Sequence, residues 1–588
     1  MTKLSKKELF LYLLVLLKFI APFLIQNGTW EPHRDEFLYL SEARHMAWGY
    51  MEVPPLLSVF AWLTNLFGGG MFWIKCWPSL FGALTFLVMG RLILSLGGKW
   101  FALLLCFLAF VLGAYLRVNY LFQPNALDIF FWTLTAYALC RHIQSRKPGW
   151  LYLAGVGLGL GLLSKYSILF FSVSLVGGLL LTPQRKILWN RHFWLALGLG
   201  LLLFLPNLLW QWVRGFPVVF HMNELQRTQL QYVPPSVFLT DQLAMNFPCV
   251  FIWLAGLYAL AFTKRDNPYR FVAWAFAVVI LLFVVAHGKG YYALGAYPIL
   301  FAFGAVALER WTAITRAAGG AAVADAAAAV SAASAASAMA EGLAIPGAAG
   351  PHATAIAAPA LSPRLRPWAV ACRCLLLIFI LGLGYYAVTV CLPFLPPAQL
   401  ANFYANHSFA SKVGALRWED MEDHPLPQDF SDMLGWKEMT AKVAKAYGTL
   451  DSTEKSQAFL FCDNYGEAGA VDYYGPRYHL PQVNSDNASF LYWLPADYDR
   501  FNVFVLVTDD QQEMQHAFIH EFLSAQLIDS ITTPYSREYG TLIILLKGPS
   551  ERFRAAFREK IEKDREKTTA KGNHPIPPNP LDKGGSLH

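Results

Sequence analysis

Long apolar runs separated by short polar connections fill the first two thirds of the chain. A bilayer core takes about 20 helical residues, and on that scale the runs at 9–26, 72–96, 100–117, 127–143, 150–163, 167–181, 193–212, 241–263, 270–286, 291–309 and 368–391 predict membrane spans, about eleven in all. The two runs around Ser164 are short and read as spans or as a helical hairpin. After residue 394 the pattern changes. "SQAFLFC", "NVFVLVT" and "TLIILLK" read as buried strands, while "GWKEMTAKVAKAY" and "QQEMQHAFIHEFLSAQ" have helical spacing, which predicts a small α/β domain over 394–550. The order of segments is a main membrane region at 1–311, an Ala-rich linker at 312–366, a last transmembrane helix at 367–393, the α/β domain, and a charged tail at 551–588 that ends Pro-rich and is expected to be disordered.

Composition agrees with a membrane solvent: 55% of the 588 residues are hydrophobic and only 15% are charged, too apolar for an ordinary soluble enzyme. The net charge of +7 matters through its placement. Lys3, Lys6, Lys7, Lys99, "RHIQSRKPG", "TPQRKILWNRH" and "TKRDNPYR" fall on alternate connections, which the positive-inside bias assigns to the cytoplasm. The remaining connections face outward, and with eleven crossings the α/β domain is extracytoplasmic as well. The eight cysteines are scattered, mostly in or beside apolar runs, and imply no disulfide framework. There is no Walker loop and no His/Cys zinc spacing, and the glycines of "GVGLGLGLL" suit close helix packing. A nucleotide-sugar donor and a nucleic-acid partner are therefore not expected.

The outward connections hold the chemistry. "WEPHRDEFLYLSEARHMAWGYMEVPPL" carries Asp35 and Glu36 ahead of a short amphipathic helix, expected in the membrane interface, and Glu52 after it. "QPNALDIFF" puts Asp128 at the mouth of an apolar span. Each acid alone could be a solvated helix-end charge. Acids from two separate outward loops suggest a shared polar cleft, because ionisable groups at membrane depth are costly and mark function. Outward cations are Arg34, Lys75, Lys165 in "LLSKYS" and Lys289 in "AHGKGYY", the last followed by Tyr291 and Tyr292. Snorkelling and an aromatic belt are the plain readings of these.

"HRDEFLYLSEARHMAWGYMEVPPL", "LFQPNALDIFFW", "GLGLLSKYSILF", "PNLLWQWVRGFPVVFH" and "GYYALGAYPILFAFGAVALE" resemble the bacterial GT-C membrane glycosyltransferases of glycosyltransferase family 39, the protein-mannosyltransferase-related group, with lipid A aminoarabinose transferases among the relatives. "DNYGEAGAVDYYGPRYHLPQVNSDNASFLYW" is similar to the C-terminal domain that accompanies many of them. The resemblance implies a multi-pass enzyme of the bacterial inner membrane with its active site outside the cytoplasm. It implies inverting transfer of a sugar from a polyprenyl-phosphate donor to an acceptor hydroxyl or phosphate on a lipid, a glycan or a protein. On that basis Asp35 is the expected base, with Glu36 and Asp128 in the catalytic group. Arg34, Glu52, Lys75, Lys165, Lys289, Tyr291 and Tyr292 are expected to hold the donor's phosphate or sugar. No cofactor is required by the motifs, although a divalent cation shared by Asp35, Glu52 and Asp128 suits carboxylate oxygens and is used by some relatives. Where aminoarabinose transferases have Glu-Lys-Pro, this chain has Glu52-Val53-Pro54. The competing readings are a lipid-linked sugar transporter or flippase and a non-catalytic lipid-glycan binding protein.

Overall fold

The computed structural model describes residues 4–263, 267–312 and 367–568. The Ala-rich linker from 313 to 366 and the Pro-rich end of the tail lie outside the described residues.

The amino-terminal two thirds is a bundle of helices. Five described helices are long and apolar enough to cross a bilayer: Lys6–Ile25, Met71–Ser95, Arg191–Val213, Gly290–Trp311 and Trp368–Cys391. Ile168–Leu180 and Pro183–Trp189 form a pair bent by 117°, and Leu56–Leu66, Trp100–Val111, Gly149–Leu162, Val250–Ala261 and Arg270–Val285 are shorter apolar helices. Pro124–Ser145 carries Asp128, Arg141 and His142. Two expected spans are interrupted. The 100–117 run breaks at Gly113, where a Cβ would lie 2.9 Å from the carbonyl oxygen of Met245, and the 241–263 run breaks before Pro248, which has no amide hydrogen to continue a helix. Glycine sets the closest packing: a Cβ on Gly155 would come 2.1 Å from the carbonyl oxygen of Ala196, and one on Gly159 2.7 Å from that of Gly200. Helices Gly149–Leu162 and Arg191–Val213 are thus nearly in backbone contact.

The carboxy-terminal part is built on a mixed five-stranded sheet, with β1 (Ala458–Cys462), β2 (Val483–Asn484), β3 (Val503–Thr508), β4 (Phe522–Ser530) and β5 (Leu542–Pro549) in the order β2-β1-β3-β5-β4. β1 pairs in parallel with both β2 and β3, whereas β5 is antiparallel to β3 and β4. Side chains alternate between two cores, as the strand period requires. Leu460, Val505 and Leu545 pack with Trp436, Met439 and Val443 of helix Trp436–Gly448, and Phe459, Phe504 and Ile544 pack with Ile561. The segment "QQEMQHAFIHEFLSAQ", expected as a helix, forms two 3-10 turns, Glu513–Gln515 and Ala517–Glu521, and then enters the edge strand β4. The tail begins with an ordered helix, Glu551–Thr568, in place of the disorder expected from its charge, because Phe553, Phe557 and Ile561 give it one apolar face against the sheet.

The first polar connection links the two parts. Its helix Arg34–Glu42, expected in the membrane interface, is packed between the two parts of the protein. Glu36, Phe37, Leu38, Leu40, Ser41 and Glu42 are all buried, which leaves no free apolar face for lipid. Phe37 and Leu38 enter one core of the sheet domain, Met51 enters the other, and Leu40 belongs to the core of the helical bundle.

Candidate active site

A cavity of about 1770 Å³ opens where the helical bundle, the first connection and the sheet domain meet. Arg34, Asp35, Glu52, Lys165, Lys289, Tyr291 and Tyr292 all line it.

Asp35 owes its aim to the start of helix Arg34–Glu42. His33 caps that helix, its Nδ1 accepting from the Asp35 amide at 3.1 Å, while Glu36 folds back to accept from the His33 amide at 2.8 Å. Successive helical residues diverge by about 100°, so the two acids part company. Asp35 faces the cavity. Its Oδ1 accepts from the Tyr465 hydroxyl at 2.8 Å and its Oδ2 from Gln123 Nε2 at 2.9 Å. The network continues, with Asn125 Nδ2 donating to Gln123 Oε1 at 3.1 Å and Lys165 Nζ donating to Asn125 Oδ1 at 2.6 Å. One chain of hydrogen bonds thus ties the carboxylate of the first connection to the ammonium of "LLSKYS".

Glu36 and Lys75 are a correction to the expected site. They form a buried ion pair, at 0% and 1% exposure, with Nζ 2.6 Å from both carboxylate oxygens. Glu36 also accepts from the Phe122 amide at 2.5 Å, and Lys75 lies 4.1 Å from the centroid of the Tyr120 ring. Every donor and acceptor position faces protein, and neither residue lines the cavity.

Asp128 stands behind the cavity wall. It accepts from Trp132 Nε1 at 2.8 Å and from Ser167 Oγ at 2.7 Å, and its charge attracts Lys165. Burial lowers the pKa of the Lys165 ammonium; Asp128 opposes that shift and Lys289 adds to it. The Lys165 ammonium lies 5.2 and 5.0 Å from the ring centroids of Tyr291 and Tyr292. Burial also lowers Lys289, against the pull of Glu419 and Asp35. Burial opposes the charge of Arg34 too, yet Tyr465, Glu538, Asp432 and Asp35 outweigh it and raise its pKa. The Arg34 guanidinium lies 4.9 Å from the Tyr465 ring centroid, and its Nε has no hydrogen-bond partner among the described residues. Glu52 is raised by burial, with His221 pulling it back; Ser489 Oγ donates to its Oε2 at 2.6 Å, and its Oε1 has no partner among the described residues.

Asp35, Glu52 and Asp128 do not form a cation cage. Among the described residues, groups of three with ligand atoms within 4.8 Å of one another are His33–Asp429–Asp432 and Asp510–Glu513–His516. The first lines the cavity, but its histidine is committed. Nδ1 accepts from the Asp35 amide, so neutral imidazole carries its proton on Nε2, which faces Asp429 and Asp432 at 3.6 and 3.7 Å. A metal on Nε2 would displace that proton while Nδ1 stayed occupied. Arg117 pairs with Asp429, and Arg537 lies 3.5 Å from Asp432, so both acids already have cationic partners.

Residues 52–210 match the family model of the dolichyl-phosphate-mannose-protein mannosyltransferases. The lipid A galacturonosyltransferase RgtD of Rhizobium johnstonii is 23% identical over 273 residues, 45% of this chain and 58% of that protein. The chain thus covers little more than half the length of that curated relative. The crystal structure of ArnT from Cupriavidus metallidurans bound to undecaprenyl phosphate matches with a TM-score of 0.56 at 14% identity, over 92% of this chain and 97% of that one. Its apo form matches over the same shares with a TM-score of 0.54 at 13% identity. The chain shares the fold of ArnT and, over residues 52–210, is similar to the mannosyltransferase family. Its long apolar helices make the chain a multi-pass membrane protein, and the likeness in fold covers 92% of it. The family segment contains Glu52, Lys75, Asp128 and Lys165; Asp35, Lys289 and the sheet domain lie outside it.

Several residues of the site were not singled out by sequence reasoning. Gln123 and Asn125 sit in the quoted "QPNALD" stretch, where paired amides beside a proline were the available signal. Tyr465 was visible only as part of a Tyr- and Gly-rich stretch suited to sugars, and nothing local marks His33, Arg117, Asp429, Asp432 and Arg537 as neighbours.

Proposed function

We propose that this protein transfers a sugar from a polyprenyl-phosphate carrier to an acceptor hydroxyl of a lipid-borne glycan, lipid A being the leading class, at the outer face of the bacterial inner membrane. The observation that carries the reading is Asp35, a carboxylate fixed by two donors inside a cavity that also presents Arg34, Lys165 and Lys289.

The chemistry follows from that arrangement. A carboxylate has about four acceptor sites; Tyr465 and Gln123 use two of them, which leaves room for an acceptor hydroxyl to hand its proton to Asp35. The acceptor oxygen forms its bond to the anomeric carbon as the bond from that carbon to the phosphate oxygen breaks. The electron pair leaves with the phosphate, so the departing group needs positive charge more than a proton. Lys165, Lys289 and Arg34 supply it. A single displacement inverts the anomeric centre. Val118, Met245, Phe247, Val250 and Val390 give part of the cavity an apolar wall suited to an isoprenoid chain. The likeness to a lipid A galacturonosyltransferase and to a protein crystallised with undecaprenyl phosphate supports the donor and acceptor classes. The basic connections on alternate sides support the outward orientation.

The test is reconstitution into vesicles with lipid A and a panel of undecaprenyl phosphates carrying galacturonate, 4-amino-arabinose or mannose. Mass spectrometry should show lipid A gaining one sugar mass, and NMR should show the opposite anomer to the donor. Movement of donor across the bilayer without transfer would replace this reading with a transporter, and a retained anomer would rule out direct displacement.

A further inference from the structure

The sheet domain does more than cover the cavity. β1 ends at Cys462, and two residues later Asn464 caps helix Tyr465–Tyr474, its Oδ1 accepting from the Gly466 amide at 2.9 Å and the Glu467 amide at 3.0 Å. That helix runs alongside Arg34–Glu42 and touches it along its whole length. Tyr465 reaches Asp35. A Cβ on Gly466 would meet Arg34 Cγ at 2.4 Å, and one on Gly469 would meet the Phe37 Cβ, carbonyl carbon and carbonyl oxygen at 2.7, 2.8 and 3.0 Å. At the far end Asp472 accepts from Ser41 Oγ at 2.8 Å and from Arg44 Nη1 at 2.7 Å. Glycines on one face allow the close approach, and a polar clamp fixes the register.

We infer that Tyr465 is a positioning residue of the transferase site: the sheet domain completes the centre by donating the Tyr465 hydroxyl to Asp35 Oδ1 at 2.8 Å, which holds the carboxylate in its working orientation. The functional part of this inference rests on the glycosyltransferase reading; the hydrogen bond and its effect on Asp35 do not. The charged groups near Asp35 are Arg34 on its own helix, and Lys289 and Asp432 on other elements. Tyr39 and Tyr291 also lie near it. Among these tyrosines, Tyr465 is the one whose hydroxyl bonds to the carboxylate.

The experiment compares the whole protein with Tyr465→Phe and with 3-fluorotyrosine placed at 465, a more acidic donor of nearly the same shape. Infrared difference spectroscopy follows the carboxyl band that disappears in Asp35→Asn and needs no sugar substrate. Tyr465→Phe, which removes the donor, should shift the frequency of that band, and fluorotyrosine, a stronger donor, should shift it the opposite way. In turnover with the active donor of the panel, Tyr465→Phe should lower kcat by roughly ten- to a hundredfold and leave the donor KM within about twofold. Gly469→Ala, which keeps the hydroxyl but forces the helices apart, should move the same parameters in the same direction. A carboxyl band that stays put in both Tyr465 variants overturns the inference. An inactive Asp35→Asn beside an unaffected Tyr465→Phe would sink this inference alone, whereas an active Asp35→Asn would sink the glycosyltransferase mechanism.

Discussion

Replacing Lys75 with methionine separates a structural lysine from a substrate-binding one. The substitution keeps most of the volume and removes the charge. Glu36 would then keep its two backbone donors, the amides of His33 and Phe122, and lose the ammonium 2.6 Å from both oxygens, in a site where it is 0% exposed. Breaking a buried pair by removing one partner costs about 3–5 kcal/mol, because the remaining charge is stranded. Lys75→Met should therefore lower the melting temperature of the detergent-solubilised protein substantially. Glu36→Gln with Lys75→Met should recover part of the loss, since neither charge is then left alone, and the interaction energy of the cycle should be about 0.5–3 kcal/mol. The assay is thermal unfolding followed by size-exclusion chromatography, with donor KM measured on the folded fraction. A Lys75→Met protein of unchanged melting temperature with a raised donor KM would refute the reasoning and put Lys75 in the donor site.

Three further outcomes follow from particular contacts. Because burial holds Lys165 below the usual lysine range, its cation is present below that lowered value and is lost as pH rises through it; kcat/KM should fall on the basic side earlier than for an ordinary lysine, and Lys165→Arg should remove that limb while the guanidinium stays charged. Gly155→Leu should destabilise the bundle by at least about 1–3 kcal/mol, since its Cβ meets the Ala196 carbonyl oxygen at 2.1 Å, while Gly198→Leu, with nothing within 4 Å of its Cβ, should leave the melting temperature unchanged. Burial works against the Glu438 charge, but Lys442 and hydrogen bonds from Thr532 and Thr533 outweigh it and hold the carboxyl down at about 2. Its contribution is present above the ordinary glutamate value near 4.5 and is lost as pH falls through about 2; acid melting curves should show a stability slope in that window that Glu438→Gln lacks.

The sequence made the outward acids conspicuous because ionisable groups are rare in so apolar a chain, and Asp35, Glu52, Lys165 and Lys289 do line one cavity. It could not tell Asp35 from Glu36: adjacent acids look alike in one dimension, and only the His33 cap and the position of Lys75 decide which faces inward. Buried strands such as "NVFVLVT" were legible from their unbroken apolar runs, whereas "QQEMQHAFIHEFLSAQ" carried helical spacing that the edge pairing of β4 with β5 overrode. The first-connection helix looked suited to lipid because one face is apolar, and its true partner, the glycine face at 466 and 469, lies more than 400 residues away. Tyr465 was missed for the same reason. Sequence separation hides a hydrogen bond that needs two domains to form.

The claim at the centre of the account is that Asp35 takes the acceptor's proton. Asparagine at this position keeps the shape and can still accept at its one carbonyl oxygen, in place of the two carboxylate oxygens that Tyr465 and Gln123 use, but it cannot act as the base. Single-turnover sugar transfer to lipid A by Asp35→Asn, measured in vesicles with the donor that the wild-type protein uses, is the most direct test. The account predicts a loss of about 10²–10⁴-fold with donor binding and melting temperature intact; transfer within a few-fold of wild type would contradict it.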